Sequence, residues 1–414
     1  MALAPRFWRL YASSATSNLA DGVGRTAFPL LGATYTRNPV LISGLVTFAF
    51  LPWLLFALPS GALVDRVDRR YAMSAANAVR AVTSAALAVL VLADTATIGV
   101  IYVASFLLGL AETVYDSASR AILPQVVANV DLDRANGLLT VEETLGQTFL
   151  GAPIGSAIFA VALSLPLIVN ASGFAVAALL VLTLRGSYRA MRVEAPTSIR
   201  ADMRDGVRWL ARHRFLRSLT MLSASSALFG AMTNGVFVLY VLDELRLPAG
   251  DFGFVLLGAG VGGLIGGLLA PPLARRFARG PILVWATLGT AVATGAMGLT
   301  RNGYLGSVLF GVAGLSVMIW NVLTMSLRQA LIPHHLFGRV QGAYRTLVWG
   351  AIPVGALAGG VLAAHVGVRA VLVIDGVLSL GTTLVLAVVV RGHRDLLARG
   401  HATAAESPLP VAVS

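Results

Sequence analysis

The chain has 414 residues, 57% of them hydrophobic and only 12% charged, with a mean hydropathy of +0.80 and a formal net charge of +12. That leaves too little polar surface to cover a soluble globule of this length, and repeated apolar runs of about twenty residues suit a bilayer core about 30 Å thick, so composition implies an all-α integral membrane protein. Cysteine and lysine are absent, which excludes disulfides and thiolate metal sites. The arginines fall mostly between apolar runs, so the basic charge reads as membrane orientation and not as a nucleic-acid surface.

Cuts at charged or Pro/Gly-rich breaks predict twelve transmembrane helices, over 9–35, 40–63, 71–92, 97–118, 137–162, 166–184, 218–241, 252–273, 281–300, 304–326, 340–364 and 368–390. The first holds Asp21 and Arg25 and has no cleavage site after it, so it is expected as a retained helix and not a signal peptide. With the N-terminus cytoplasmic, the outer loops hold only Arg37, Arg246, Arg301 and Arg369. Arg66, Arg69, Arg70, Arg275, Arg276, Arg279 and the cluster from Arg185 to Arg217 then lie inside. Both termini are therefore expected in the cytoplasm, in the inner membrane of a bacterium. The first inner hairpin, Gly61-Ala-Leu-Val-Asp65-Arg66-Val-Asp68-Arg69-Arg70, needs a close backbone approach at Gly61 and a water-facing turn after it.

A charge at the bilayer centre costs about 2.5–3.5 kcal/mol on insertion scales, so those that persist face a cavity or each other. Asp21 lies roughly 18 Å along the first span at 1.5 Å per residue, near the midplane, with Arg25 one turn further on. Asp21 is either a protonatable carrier that releases its proton as Arg25 or a substrate cation approaches, or half of a self-neutralising pair with Arg25. The fourth span repeats the spacing with Glu112, Asp116 and Arg120. Glu112, the deepest, is a second proton candidate or the partner of an arginine such as Arg80. Glu142 and Glu143 sit about 100° apart on the fifth span, so one faces the cavity and the other reaches headgroups or Arg80. Arg345 and Asp375 read as members of packing pairs.

The longest inner loop, 185–217, divides the chain into bundles over 1–184 and 218–391, with a disordered tail over 392–414. Within the loop Arg200, Arg204, Arg208 and Arg212 recur every four residues beside Ile199, Met203, Val207 and Leu210. That pattern predicts a helix lying on the inner leaflet. Three echoes relate the bundles: Leu63–Arg69 with Leu273–Arg279, Arg120–Pro124 with Arg328–Pro333, and Pro153-Ile-Gly155 with Pro353-Val-Gly355. Parallel repeats of this kind place a midplane site between two halves, open to either side in turn.

The hairpin run, the segment from Gly109 to Pro124 and the run Asp133-Arg-Ala-Asn-Gly137 resemble the major facilitator superfamily over nearly the whole chain. The likeness is to its enterobactin-exporter-like and drug-efflux-like branch. The hairpin departs from the family signature at Asp68, where a second Gly is usual. The fifth-span antiporter pattern is loosened to Gly151-Ala-Pro153-Ile-Gly155-Ser156, and the fourth span lacks the buried Arg of many proton-coupled drug antiporters. The resemblance implies twelve helices in two six-helix bundles and no enzymatic activity. It also implies an inside gate of Gly61, Asp65, Arg66, Arg69, Arg70, Asp116 and Arg120, in which Asp116 latches onto Arg66 or Arg70 and Asp65 approaches the eleventh helix. Asn234 and Asn321 fall where the family's central helices face the cavity, able to bind substrate or each other's helices.

Gly258, Gly260, Gly262, Gly263, Gly266 and Gly267 lack the preceding strand and following Lys of a phosphate loop and read as a helix-packing surface. Prolines within spans, Pro52, Pro59, Pro153, Pro271, Pro272 and Pro353, are placed to bend helices. His334-His335 reads as a solvated loop and not a metal site, since adjacent histidines point apart. The function expected is secondary active transport by alternating access. The chain would export a small amphiphilic molecule such as a drug, siderophore or secondary metabolite as a monomer, by proton antiport and with no cofactor beyond the proton gradient. Uptake of a small metabolite by uniport or symport is the alternative within that class, and a membrane receptor or assembly factor the alternative outside it.

Overall fold

The computed structural model describes residues 3–64, 66–189 and 199–393. Every regular element among them is helical. The first half comprises α1 (Pro5–Tyr35), α2 (Pro39–Val64), α3 (Arg69–Leu92), α4 (Ile98–Val126), α5 (Leu132–Val161) and α6 (Leu165–Leu182). A linker helix, α7 (Ile199–Arg212), follows. The second half comprises α8 (Arg214–Glu244), α9 (Phe252–Arg276), α10 (Arg279–Leu299), α11 (Gly303–Leu331), α12 (His334–Val366) and α13 (Val368–Gly392). Among the described residues eleven helices are long and apolar enough to cross a membrane. Helix α1, at 31 residues, is long enough but too polar to be counted with them, because its inward face carries serines, Asn18 and Asp21.

The sequence echoes correspond to a repeated packing scheme. In the first half α2 packs on α4, α3 on α4 and α6, and α1 on α5; in the second α9 packs on α11, α10 on α11 and α13, and α8 on α12. Between halves, α2 lies against α12 and α5 against α9. The glycine run of α9 is a packing surface, as its composition predicts: a Cβ at Gly266 would collide with the backbone of Leu315 on α11.

Three apolar cores show how the halves meet. One core is common to both, joining Leu31, Ile42 and Phe159 to Phe237, Phe252 and Leu372. The other two stay within a single half, around Phe7, Met73 and Ile122 in the first and around Phe215, Leu283 and Leu327 in the second. The shared core lies at the end where Arg37 pairs with Asp243 at 3.0 Å. The separate cores lie at the opposite, arginine-rich end. The halves thus share a core at the first end and keep separate cores at the basic end.

Several sequence-based expectations are corrected. Gly61 is not a point of close approach: it lies within α2, and a Cβ there would meet nothing within 4 Å. Helix α7 packs one face on the second half, which its stripes do not announce. Leu210 is buried in the second half's own core, Gly206 abuts the Arg339 backbone, and Asp205 pairs with Arg339 at 3.7 Å. Arg204, Arg208 and Arg212 remain exposed on the other face. His334 and His335 open helix α12 and are not in a loop. Helix α5 is interrupted by a π-helical segment, Leu145–Gly151, which the apolar pattern does not announce. The predicted tail over 392–414 lies outside the described residues beyond position 393.

Candidate functional site

Helix α1 is the axis of the site. Ser14, Asn18, Asp21 and Arg25 are spaced four, three and four apart, so they form one stripe along it. Ser14 and Asn18 are buried, Asp21 is half-buried and Arg25 is exposed. The expected Asp21–Arg25 pair is replaced by a longer-range one: Arg80 of α3 donates from Nη1 to Asp21 Oδ2 at 3.2 Å. Arg80 is 1% exposed. It also donates to Ser17 Oγ at 3.4 Å, and its guanidinium lies 4.9 Å from the Phe174 ring centre and 5.3 Å from that of Tyr115. A cation removed from water this completely needs both the carboxylate and the aromatic faces.

Residues Asp21, Arg80 and Glu112 each fall near the middle of their helices and so share one layer at mid-depth. Glu112 lies within electrostatic range of Asp21, Arg80, Asp116 and Arg25. No cation among the described residues comes within ion-pair distance of it, so Arg80 is committed to Asp21 and not to Glu112. One turn along α4, Asp116 pairs with Arg120 at 3.5 Å.

Helix α5 joins this layer from another side. Glu142 is buried and reaches neither headgroups nor Arg80: it accepts from Asn18 Nδ2 at 2.8 Å and from Ser14 Oγ at 3.3 Å. Gln147 donates to Asn18 Oδ1 at 2.9 Å. Glu143 is exposed beside the charges of Asp116, Arg25 and Arg120. Gly151 and Gly155 seat α5 on α1, since a Cβ on Gly151 would lie 2.6 Å from the Gly22 Cα and one on Gly155 would strike Val23 and Thr26. Pro153 lies two residues past the end of the π-helical segment.

The hairpin arginines fasten helix ends. Arg69 donates to the Ala121 carbonyl at 2.8 Å and Arg70 to the Leu184 carbonyl at 2.6 Å, while Arg66 is exposed. The Asp116 latch to Arg66 or Arg70 is not made in this arrangement, and Asp65 lies outside the described residues. Asp68 has a role that the family signature hides: buried, it caps α3 by accepting from the Arg70 amide at 3.0 Å and holds the Tyr188 amide at 3.0 Å. An Asp just ahead of a helix is a capping signal readable in the sequence.

An open recess with ≈ 640 Å³ of unfilled space lies between α2, α4 and α12, lined by Trp53, Asp116, Arg120, Arg345 and Trp349 among others. Arg345 and Asp375 are not partners of each other. Arg345 lies over the rings of Trp53 and Trp349, and Asp375 is buried on α13 accepting from Thr233 at 2.6 Å and Ser379 at 3.1 Å. Asn234 and Asn321 are exposed and unbonded among the described residues, which leaves the interhelical alternative unrealised here. No group of three or more metal-ligating side chains occurs among the described residues.

Comparison with known proteins agrees with this architecture. The family profile described as Major Facilitator Superfamily matches residues 10–353. The multidrug efflux pump Tap of Mycolicibacterium fortuitum is 27% identical over 369 residues, covering 86% of this chain and 88% of Tap. Macrolide efflux protein A of Streptococcus pyogenes is 21% identical over 380 residues, covering 90% and 93%. Among solved structures, the nucleoside transporter NupG superposes with a TM-score of 0.74 at 14% identity, covering 93% of this chain and 99% of that one.

Proposed function

The chain belongs to the major facilitator superfamily, and from that premise we propose that it is a proton-coupled exporter of small amphiphilic molecules in which Glu112 is the coupling acid. A multi-pass membrane transporter, and not an enzyme, is what the family and its efflux relatives establish. Proton exchange, export as the direction, action as a monomer and residence in a bacterial inner membrane are our own reading. The arginine-rich end, where the halves keep separate cores, faces the cytoplasm in this scheme, because short basic loops stay inside.

The single observation that carries the coupling assignment is that Arg80 is fixed to Asp21 while Glu112, at the same depth, has no cation in contact. An unpaired carboxylate at mid-membrane is costly when ionised, at about 2.5–3.5 kcal/mol on insertion scales. Glu112 therefore holds a proton until the cavity is hydrated or a substrate rearranges the charges around it. Asp116, one turn away and lining the recess, links substrate occupancy to that proton. Asp21 is the weaker choice, because its carboxylate is already engaged by the Arg80 guanidinium. The gate of Gly61, Asp65, Arg66, Arg69, Arg70, Asp116 and Arg120 closes, on this reading, when the basic ends come together.

Everted membrane vesicles supplied with a fluorescent amphiphilic drug in the outside medium test the reading. An imposed pH gradient should drive accumulation by the wild type, and Glu112→Gln should remove the gradient dependence with protein level unchanged. Gradient-driven accumulation of equal size in Glu112→Gln would exclude Glu112, and wild-type movement indifferent to the gradient would exclude proton antiport.

A further inference from the structure

We propose that the recess between α2, α4 and α12 takes the flat aromatic part of an organic anion, with Trp53 and Trp349 stacking its ring system and Arg345 binding its carboxylate. This rests on the transport reading and names its substrate class. The two tryptophans come from different halves, yet their ring centres are 4.5 Å apart and both rings are half-buried at the recess wall. By contrast, Trp320 is buried and Trp285 is 70% exposed. A half-buried aromatic pair at the mouth of unfilled space offers ring surface on the side turned away from Arg345.

Charge decides what accompanies the ring. Asp116 is matched by Arg120 at 3.5 Å. Arg345 stands 5.9 Å from the Trp53 ring centre and 5.0 Å from that of Trp349, with no carboxylate at ion-pair distance among the described residues. The recess thus carries one uncompensated positive charge. A guanidinium lying on rings keeps its in-plane N–H groups free for a bidentate carboxylate. An organic cation would meet two arginines and an acid already engaged. A polyanion would find one spare cation among aromatic walls. The recess is open, and a Cβ at Gly342 would meet nothing within 4 Å, so room continues along α12. Because each half supplies one tryptophan, such a ligand holds the halves in this arrangement.

The test is binding to the full-length protein in lipid nanodiscs by titration calorimetry, with 2-naphthoate, 2-naphthylmethylammonium and cyclohexanecarboxylate as probes. Naphthoate should bind at least tenfold more tightly than either of the others. Arg345→Gln should erase the preference over the ammonium probe, and Trp53→Leu the preference over the saturated acid. Equal or tighter binding of the ammonium compound, or unchanged naphthoate affinity in Arg345→Gln, would overturn the proposal. The wild-type probe comparison needs no variant to fold. Binding is read without a gradient, so naphthoate selectivity in a protein that shows no coupled transport would refute the coupling reading alone, and coupled transport without that selectivity would refute the site alone.

Discussion

The two halves of the molecule share a packing scheme and differ in what they do with charge. In the first half, Asp21, Arg80, Glu112, Asp116 and Glu142 converge on the middle of α1, α3, α4 and α5. In the second half, Asp375 is held by two hydroxyls without a cation, and Arg328 lies buried 3.7 Å from the Tyr344 ring centre without an acid among the described residues. The echo of Arg120 in Arg328 makes the contrast specific. Four residues before Arg120 stands Asp116, which pairs with it; four before Arg328 stands Thr324, whose hydroxyl donates back to the Trp320 carbonyl. At this echo the helix and the cation recur and the acid does not, so under the proposed coupling the exchangeable proton would sit in the first half.

The comparison can be broken most forcefully at Arg80. Arg80→Ala strands Asp21 in the membrane and removes the group packed between Tyr115 and Phe174, so it should cost about 3–5 kcal/mol, as breaking a buried ion pair does. Thermal unfolding in detergent reads this directly, and a variant as stable as wild type would mean that the Asp21–Arg80 pair does not hold the site. Asp21→Asn inherits part of this cost, which makes it a poorer probe of coupling than Glu112→Gln.

Next come the paired crossings. Gly155→Ala should destabilise by about 1–3 kcal/mol through overpacking, because the new methyl would meet the Val23 backbone and not only a movable side chain. Gly355→Ala, its echo, would drive a methyl into the Leu228 carbonyl and should cost the same. Matching losses in melting temperature support a shared scaffold; a neutral Gly355→Ala would mean the halves differ in packing too. The smallest effect is expected at Asp375→Asn, where the amide keeps an acceptor for one hydroxyl. Stability should fall by about 1 kcal/mol or less, with gradient-driven transport retained, and loss of coupling there would end the asymmetry.

Hydropathy and arginine placement are local signals, so the amino-acid sequence by itself yields the membrane class, twelve predicted spans that each meet a helix, eleven of them apolar enough to cross a membrane, and the unusual acids Asp21 and Glu112. The partners of those acids are not legible in it, because they are remote along the chain. Asp21 finds Arg80 59 residues away, and Glu142 finds Ser14 at a separation of 128. A neighbour such as Arg25 at i+4 is a persuasive local substitute, but its side chain is exposed. The helix over 199–212 can be read from its stripes, whereas its docking on Arg339 depends on the far side of the contact. Asp68 shows the reverse case: its capping role is local, and likeness to a motif hides it.

The most direct test of the central claim sets Glu112→Gln beside Asp375→Asn in proteoliposomes, measuring substrate counterflow without a gradient and substrate flux with one. The account predicts counterflow in both, with the pH gradient accelerating flux in Asp375→Asn and leaving Glu112→Gln unchanged. Gradient-accelerated flux in Glu112→Gln, with its loss in Asp375→Asn, would place the coupling proton in the other half and contradict it.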